Sequence, residues 1–125
     1  MNQKKILLVD DSTTTLMMEQ MVLRGQPYQI VTAKNGREAV AAAARENPDL
    51  ILLDVVMPEM NGFDACRNIR LEPATRNVPI IMVTTKGEEH NVEVGFQSGC
   101  SDYITKPING AELLTKVRTW LEGGE

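Results

Sequence analysis

The sequence predicts an α/β protein in which a doubly wound, five-stranded parallel sheet carries helices on both faces. The first observation is that short strand-like segments alternate along the whole chain with longer segments of helical periodicity. Such alternation is typical of parallel strands joined by right-handed crossover helices. The second observation is that several of the strand-like segments are wholly apolar, as in strands buried on both faces. Five βα units favour the strand order 2-1-3-4-5, a (βα)5 three-layer sandwich.

Each strand is predicted from an apolar or β-branched run that stops at a turn residue or a charge. The central strand is the clearest, because the apolar run from Leu50 to Leu53 meets a lone carboxylate, Asp54, and Pro58 marks the turn that follows. The fifth strand ends at Lys106 in the same way. The predicted strands span residues 6–9, 28–32, 50–54, 80–83 and 101–105.

The helices are predicted from capping residues and apolar spacing. Ser12, Asn35 and Asn109 can each cap a helix, and both asparagines have a glutamate three residues later, as in a capping box. The fourth helix contains several poor helix formers, so we expect it to be the least stable. The predicted helices occupy 12–24, a segment after 35, 62–70, 87–98 and a segment after 109.

Length and composition indicate one ordinary globular domain. A chain of 125 residues suits a single domain, 1–125, and the net charge of −4 argues against a nucleic-acid surface. No apolar run approaches the roughly 18 residues of a membrane span, and the segment before Asp10 is too short for a signal peptide. We therefore expect a cytoplasmic protein with no membrane partner. Cys66 and Cys100 match no metal-binding spacing, and we expect both to be reduced thiols, buried or half-buried.

Charged and hydroxyl side chains stand where four of the predicted strands end. The carboxyl ends of parallel strands meet at one edge of the sheet, which is where open α/β sheets bind their ligands. The predicted order also puts the first strand beside the third, with backbones about 4.8 Å apart. We therefore expect these side chains to form one site. They are Asp10, Asp11, Asp54, Thr84, Thr85 and Lys106.

The chemistry of this edge favours a hard cation and a phosphoryl group. Two carboxylates roughly 5 Å apart repel by about 3 kcal/mol at an effective dielectric near 20, so three of them favour a bound cation. An all-oxygen ligand set suits Mg²⁺, with Mn²⁺ as a substitute. Asp54 could then act as nucleophile and form an aspartyl phosphate. Lys106 would neutralise charge on the transferring group, and Thr84 would donate a hydrogen bond to it.

These motifs, in this order, resemble the receiver domain of bacterial two-component response regulators, whose fold is flavodoxin-like. The resemblance covers essentially the whole chain. The chain also resembles the stand-alone, chemotaxis type of regulator, so we expect no DNA-binding effector domain after the fifth helix. The matching motifs are Asp10-Asp11-Ser12, Asp54 with Met57-Pro58 and Gly62, Thr84, and Asp102-Tyr103 with Lys106-Pro107.

The resemblance implies a role for each matching residue. Asp54 would be the phosphoacceptor, with Asp10, Asp11 and the backbone carbonyl of Val56 around Mg²⁺. Thr84 and Tyr103 would be the switch pair, and the Lys106-Pro107 peptide bond would be cis. A sensor histidine kinase or a phosphotransfer protein would supply the phosphoryl group. A downstream protein, which the sequence does not name, would bind the face formed by the fourth helix, fifth strand and fifth helix.

Three positions depart from the family or vary within it. Thr85 stands where the family commonly has alanine, and its bulk could narrow the path of the phosphoryl group. Val56 and Lys86 lie two residues after Asp54 and Thr84, where the family varies the lifetime of the phosphorylated state. An apolar residue and a long cation there could shield the acyl phosphate from water, so we predict a longer lifetime than in fast chemotaxis regulators.

Two further features have a plain structural interpretation. Met17, Met18 and Met21 on the first helix are expected to lie mostly in the core, with at least one exposed because they cluster within two turns. An exposed methionine surface beside the site could dock the phosphodonor. His90, the only histidine, is expected to be a surface residue rather than a ligand or a phosphodonor.

Three other functions remain open from the sequence. A flavodoxin-like cofactor carrier could hold a phosphate at the hydroxyl-rich start of the first helix, although Asp10 and Asp11 would repel it. A hydrolytic phosphatase would need an acid where Val56 stands. A receiver that signals without phosphorylation would not need the acids, the threonine and the lysine that stand at the sheet edge.

Overall fold

The five strands form one parallel sheet in the order β2-β1-β3-β4-β5. The computed structural model describes residues 3–85 and 88–122. The strands are β1 Lys4–Val9, β2 Tyr28–Ala33, β3 Leu50–Asp54, β4 Ile80–Thr85 and β5 Asp102–Lys106. The helices are α1 Thr13–Leu23, α2 Gly36–Glu46, α3 Gly62–Leu71, α4 Glu89–Ser98 and α5 Gly110–Leu121. The predicted fold class and strand order are confirmed.

Local capping chemistry explains where most helices begin. Ser12, Asn35 and Asn109 accept hydrogen bonds from backbone N–H groups of the first turns of α1, α2 and α5, as predicted. Asn61 caps α3 in the same way, which the sequence analysis did not anticipate. The residue before α4, Glu88, makes no capping hydrogen bond with its side chain. α4 is therefore the helix without a side-chain cap.

Several boundaries differ slightly from the prediction. Between α3 and β4, where no helix or strand was predicted, the chain forms one turn of 3₁₀ helix, Pro73–Thr75. α4 begins at Glu89, and Gly87, where we expected it to begin, lies outside the described residues. Gly99 ends α4 with φ +109°, a left-handed conformation that glycine adopts without strain.

Side chains alternate between the two faces of the sheet and form two cores. Residues such as Leu53 and Met82 pack beneath α2 and α3 in one cluster, which also includes Cys100 just after α4. Leu52 and Val83 pack beneath α1 and α5 in the other. Because strand residues two apart share a face, each core predicts the side on which the residues at the strand ends emerge.

The methionines of α1 correct one expectation. Met17, Met18 and Met21 are all exposed, at 58%, 43% and 61%, so the prediction that they are mostly core residues is wrong. The sheet-facing positions of α1 belong instead to Leu16, Glu19 and Leu23, which are buried. A narrow buried stripe on this helix leaves no room for the methionines.

The predictions for the two cysteines, for the exposure of His90 and for the cis peptide bond are confirmed. Cys66 and Cys100 are free and buried, His90 is exposed, and the Lys106-Pro107 peptide bond is cis. Across residues 3–85 and 88–122, no helix combines the length and the apolar character that crossing a bilayer requires.

Candidate functional site

Three carboxylates converge at the carboxyl edge of the sheet. Asp10 follows β1, Asp11 comes next, and Asp54 ends β3, the strand beside β1. One carboxylate oxygen of each residue lies within 4.8 Å of the others. Asp10 and Asp54 are buried, whereas Asp11 is exposed. The structure thus brings together the acids that the strand order placed on neighbouring strands.

Backbone contacts fix the two buried acids. The N–H of Asp10 donates to the carbonyl of Ala33 at 3.2 Å, and its Oδ1 accepts from the N–H of Ser12 at 2.9 Å. Beyond Asp54, the N–H of Gly62 donates to the carbonyl of Val55 at 2.8 Å. A Cβ atom at residue 62 would clash with the carbonyl oxygen of Asp54. The start of α3 therefore packs directly on the end of β3.

Lys106 bridges the two buried acids from the end of β5. Its Nζ lies 3.2 Å from Oδ2 of Asp10 and 3.3 Å from Oδ1 of Asp54. Burial lowers the pKa of Lys106, but the nearby charges of Asp54 and Asp10 outweigh burial and raise it overall. Lys106 is therefore a fixed positive charge beside Asp54.

Burial and like charge act together on Asp54. Burial, and after it the charge of Asp10, raise the pKa of Asp54 to about 6 against the opposing effect of Lys106. Because the two carboxylates repel each other, a cation that enters the site would stabilise the charged form of both.

The cluster fits a hard divalent cation. Oδ2 of Asp10 is buried and, apart from the ion pair with Lys106, receives no hydrogen bond. The donor set consists of carboxylate oxygens only, with no histidine or cysteine among the described residues of the cluster. Hard cations such as Mg²⁺ prefer such oxygen ligands. The residues present are therefore compatible with the predicted metal.

The predicted switch residues lie on the other face of the sheet. Thr84 is buried at the end of β4, where Oγ1 accepts from the side-chain amide of Asn91 on α4 at 3.4 Å. Tyr103 packs edge-to-face against Phe96 of α4, with ring centroids 6.2 Å apart. Nζ of Lys116 lies 4.9 Å above the Tyr103 ring. Tyr103 thus contacts α4 and α5 rather than the acids.

The residues predicted to tune the site are only partly described. Val56 is 70% exposed in the loop after β3, and Thr85 is exposed at the end of β4. Lys86 lies outside the described residues. Val56 therefore lies in solvent two residues after Asp54, and the role of Lys86 stays a prediction.

Glu19 is a buried acid that the sequence analysis missed. Its side chain on α1 is fully buried, and neither carboxylate oxygen has a hydrogen-bond partner. Burial, and after it the charge of Asp10, raise the pKa of Glu19 to about 8 against the opposing effect of Lys106. The helical spacing from Leu16 to Leu23 places residue 19 on the buried stripe, so periodicity could have found it.

This sheet, with its acids and its lysine at one edge, defines the class of protein. The chain belongs to the response regulator receiver domain family, because the family model with that description matches residues 6–118. Receiver domains are the signalling switches of two-component systems rather than conventional enzymes. They interact with histidine kinases and with downstream targets.

Individual relatives place the chain within this family. It is 45% identical over 120 residues to the transcriptional regulatory protein ResD of Bacillus subtilis, which covers 96% of this chain and 49% of ResD. It is 40% identical over 119 residues to the protein PilH of Pseudomonas aeruginosa, which covers 95% of this chain and 98% of PilH. The chain therefore spans about half the length of ResD and nearly all of PilH.

A solved structure supports the same assignment. The receiver domain of the sensor histidine kinase PA1611 from Pseudomonas aeruginosa is 33% identical, with a TM-score of 0.88, and the match covers 96% of this chain and 98% of that one. That structure is described with a magnesium ion coordinated in its active site cleft. Because ResD is named a transcriptional regulator, the expected absence of a nucleic-acid partner stays a prediction.

Glu19 gives a first test, in the form of the pH dependence of stability. Its pKa is about 8 in the folded protein against an ordinary value of 4.5, so between these values the folded state holds a proton that the unfolded chain has released. Stability should therefore fall as pH rises through this window, at up to about 1.4 kcal/mol per pH unit. Glu19→Leu should remove the slope between about pH 6, the pKa of Asp54, and pH 8, and should stabilise the protein at pH 8 by on the order of 3 kcal/mol. Urea unfolding from pH 5 to pH 9 without divalent metal measures it.

Gln20→Leu is the matched control, because residue 20 is the exposed neighbour on the same helix. It should leave the slope unchanged. Parallel pH profiles for the wild type and Glu19→Leu would contradict the inferred state of Glu19.

Proposed function

We propose that this chain is a phosphorylation-activated signalling switch, in which Asp54 accepts a phosphoryl group from a histidine of a sensor kinase or a phosphotransfer protein. The observation that carries the proposal is the triangle of Asp10, Asp54 and Lys106, with Lys106 Nζ 3.2 Å and 3.3 Å from the two acids. A nucleophilic carboxylate beside a fixed ammonium and a second buried acid is suited to a transferring phosphoryl group.

The transfer step is a displacement at phosphorus. An oxygen of Asp54 bonds to phosphorus while the bond from phosphorus to the donor imidazole nitrogen breaks, and the electron pair leaves with the imidazole. Lys106 attracts the phosphoryl oxygens and holds Asp54 in place. Asp10, Asp11, Asp54 and the carbonyl of Val56 would hold Mg²⁺, which neutralises charge on the phosphoryl oxygens. The solved PA1611 receiver, with magnesium in its cleft, supports this assignment.

The signal would then pass through Thr84 and Tyr103. Shifting a two-state equilibrium from 1:99 to 99:1 takes about 5.5 kcal/mol of differential interaction. Hydrogen bonds to a charged group contribute roughly 1.5–3 kcal/mol each, so Thr84 and Lys106 together supply most of it. Thr84 moves toward the phosphoryl group, Tyr103 turns inward from Phe96, and the α4-β5-α5 face changes shape for a downstream protein.

The rival functions have less support from the site. A flavodoxin-like carrier would place a cofactor phosphate near Asp10 and Asp11, where both acids repel it. A phosphatase of the aspartyl type would need an acid at position 56, where an exposed valine stands. A module that signals without phosphorylation gives no reason for the buried Asp54–Lys106 pair.

Phosphorylation at Asp54 is tested by intact-mass spectrometry with acetyl phosphate and Mg²⁺. The wild type should gain about 80 Da, the mass of one phosphoryl group, and lose it on incubation with Mg²⁺ after the donor is removed. Asp54→Ala should gain nothing, because the nucleophile is absent. Lys106→Met, which keeps the length of the side chain but removes its charge, should reduce the yield by tenfold or more, at about 1.4 kcal/mol per tenfold. No adduct on the wild type would refute the proposal.

The lifetime of the aspartyl phosphate tests the roles of Val56 and Lys86. We expect Val56→Asn and Lys86→Glu each to speed dephosphorylation severalfold, because a polar side chain can orient water that the present side chains exclude. The decay of phosphorylated protein after removal of the donor measures the rate. Glu59→Gln, at an exposed position in the same loop, is the control. Unchanged decay in both variants would show that neither Val56 nor Lys86 shields the acyl phosphate from water.

The exposed methionines test docking of the phosphodonor. Met18→Glu places a charge in the exposed surface formed by Met17, Met18 and Met21, so transfer from the cognate donor should slow by about tenfold if this surface is buried in the complex. Phosphorylation by acetyl phosphate should not change. Leu71→Glu, at a 76% exposed position near the end of α3, is the control. Equal transfer rates in all three proteins would exclude docking at the methionines.

A further inference from the structure

The hydroxyl of Thr84 is held by the helix that follows its strand. Oγ1 of Thr84 accepts from Nδ2 of Asn91 at 3.4 Å. Thr84 is 3% exposed, and Asn91 is half-buried in the first turn of α4. Among the described residues, no other side-chain hydrogen bond reaches Thr84. The resting position of the switch hydroxyl is therefore set from α4.

α4 lacks the side-chain cap that the other four α-helices have. α1, α2, α3 and α5 each begin at a serine or asparagine whose side chain accepts a backbone N–H. α4 begins after Glu88, whose side chain makes no such bond. Asn91 instead ties the first turn of α4 to β4.

The far end of α4 is anchored separately. Gly95 approaches β4 so closely that a Cβ atom there would lie 3.4 Å from Cγ of Met82 and 3.3 Å from Sγ of Cys100. Sγ of Cys66 lies 3.4 Å from the carbonyl of Ser98. The carboxyl-terminal half of α4 is thus fixed by packing. Its start is joined to β4 by the backbone bond from the N–H of Glu88 to the carbonyl of Thr85, at 3.1 Å, and by the side-chain contact between Asn91 and Thr84.

Thr84 and Asp54 start from opposite faces of the sheet. Thr84 continues the series of Ile80 and Met82, which packs on the α2–α3 side. Asp54 continues the series of Leu50 and Leu52, which packs on the α1–α5 side. To reach an oxygen bonded to Asp54, the Thr84 side chain must turn across the sheet edge, away from α4. That movement opens the 3.4 Å contact with Asn91.

We propose that Asn91 is a positioning residue that tethers the Thr84 hydroxyl to the first turn of α4 in the resting state and releases that turn when Thr84 moves to phosphorylated Asp54. A contact made in only one of two states biases the equilibrium toward that state. Asn91 therefore opposes phosphorylation and, once its partner leaves, frees the start of the output helix. This inference rests on the proposed phosphorylation switch.

A double-mutant cycle on the resting protein tests the tether. Hydrogen exchange of the α4 amides is followed by mass spectrometry, without Mg²⁺ or phosphodonor, in the wild type, Thr84→Val, Asn91→Ala and the double variant. Thr84→Val should speed exchange at the start of α4 by about three- to tenfold, the effect of one net hydrogen bond. In the Asn91→Ala background, Thr84→Val should have no further effect, because its partner is gone. Additive effects would overturn the proposal.

Thr105→Val is the matched control for the cycle. Thr105 pairs with Thr84 on the neighbouring strand β5, so this variant removes a hydroxyl at the same level of the sheet. It should leave α4 exchange unchanged. An acceleration equal to that of Thr84→Val would show that the loss of any nearby hydroxyl loosens α4, and would also overturn the tether.

The reaction provides the second test. Asn91→Ala should raise the initial rate of phosphorylation by acetyl phosphate about threefold to tenfold, since the resting contact no longer has to break. Gln97→Ala, at an exposed position on α4, should not change the rate. A slower or equal rate in Asn91→Ala, on a wild type that does form the 54-phosphoryl adduct, overturns the tether. A wild type without an adduct refutes the proposed function instead, while the exchange cycle still decides whether Asn91 holds Thr84.

Discussion

Mutual repulsion among carboxylates at one edge of the sheet is the constraint on which the site depends. Asp10 and Asp54 are buried, and at about 5 Å two such charges repel by about 3 kcal/mol at an intermediate dielectric. Lys106 offsets part of this repulsion by pairing with both acids. Burial and the remaining negative charge together raise the pKa of Asp54, and the negative charge explains why this edge favours a cation.

The sheet separates the acids and Lys106 from the two predicted switch residues, Thr84 and Tyr103. Asp10, Asp54 and Lys106 continue the strand positions that face α1 and α5, whereas Thr84 and Tyr103 continue those that face α2 and α3. The two sets of residues can therefore approach each other only at the carboxyl edge of the sheet, where Thr84 lies near the end of its strand. α4, which has no side-chain cap, lies on the far side of that connection. Its first turn is the element that the proposed movement of the Thr84 hydroxyl would release.

Sequence reasoning succeeded where local chemistry decides structure. The strand order followed from the alternation of apolar runs and helices, and the caps at Ser12, Asn35 and Asn109 followed from residue type and spacing. The cluster of acids followed in turn from the strand order. It failed on α1 because hydrophobicity alone assigned the methionines to the core, although helical spacing reserves that stripe for Leu16, Glu19 and Leu23.

Contacts between side chains from distant elements could not be predicted. The bond from Asn91 to Thr84 and the packing of Phe96 on Tyr103 depend on rotamers and on the angle between helix and sheet. Neither is encoded in a short motif. Periodicity could have predicted the burial of Glu19. That neither of its carboxylate oxygens has a hydrogen-bond partner depends on the packing around it, which the sequence does not reveal.

The short loop between β3 and α3 is confined by glycines on two sides. A Cβ atom at Gly62 would clash with the carbonyl oxygen of Asp54, and one at Gly36 would clash with the carbonyl oxygen of Met60. The loop itself carries exposed residues such as Glu59 and Asn61. The two glycines are buried beneath this exposed loop, and alanine, the smallest replacement, is already too large at both. In a saturation-mutagenesis map, these two positions should stand out as intolerant although neither carries a functional group.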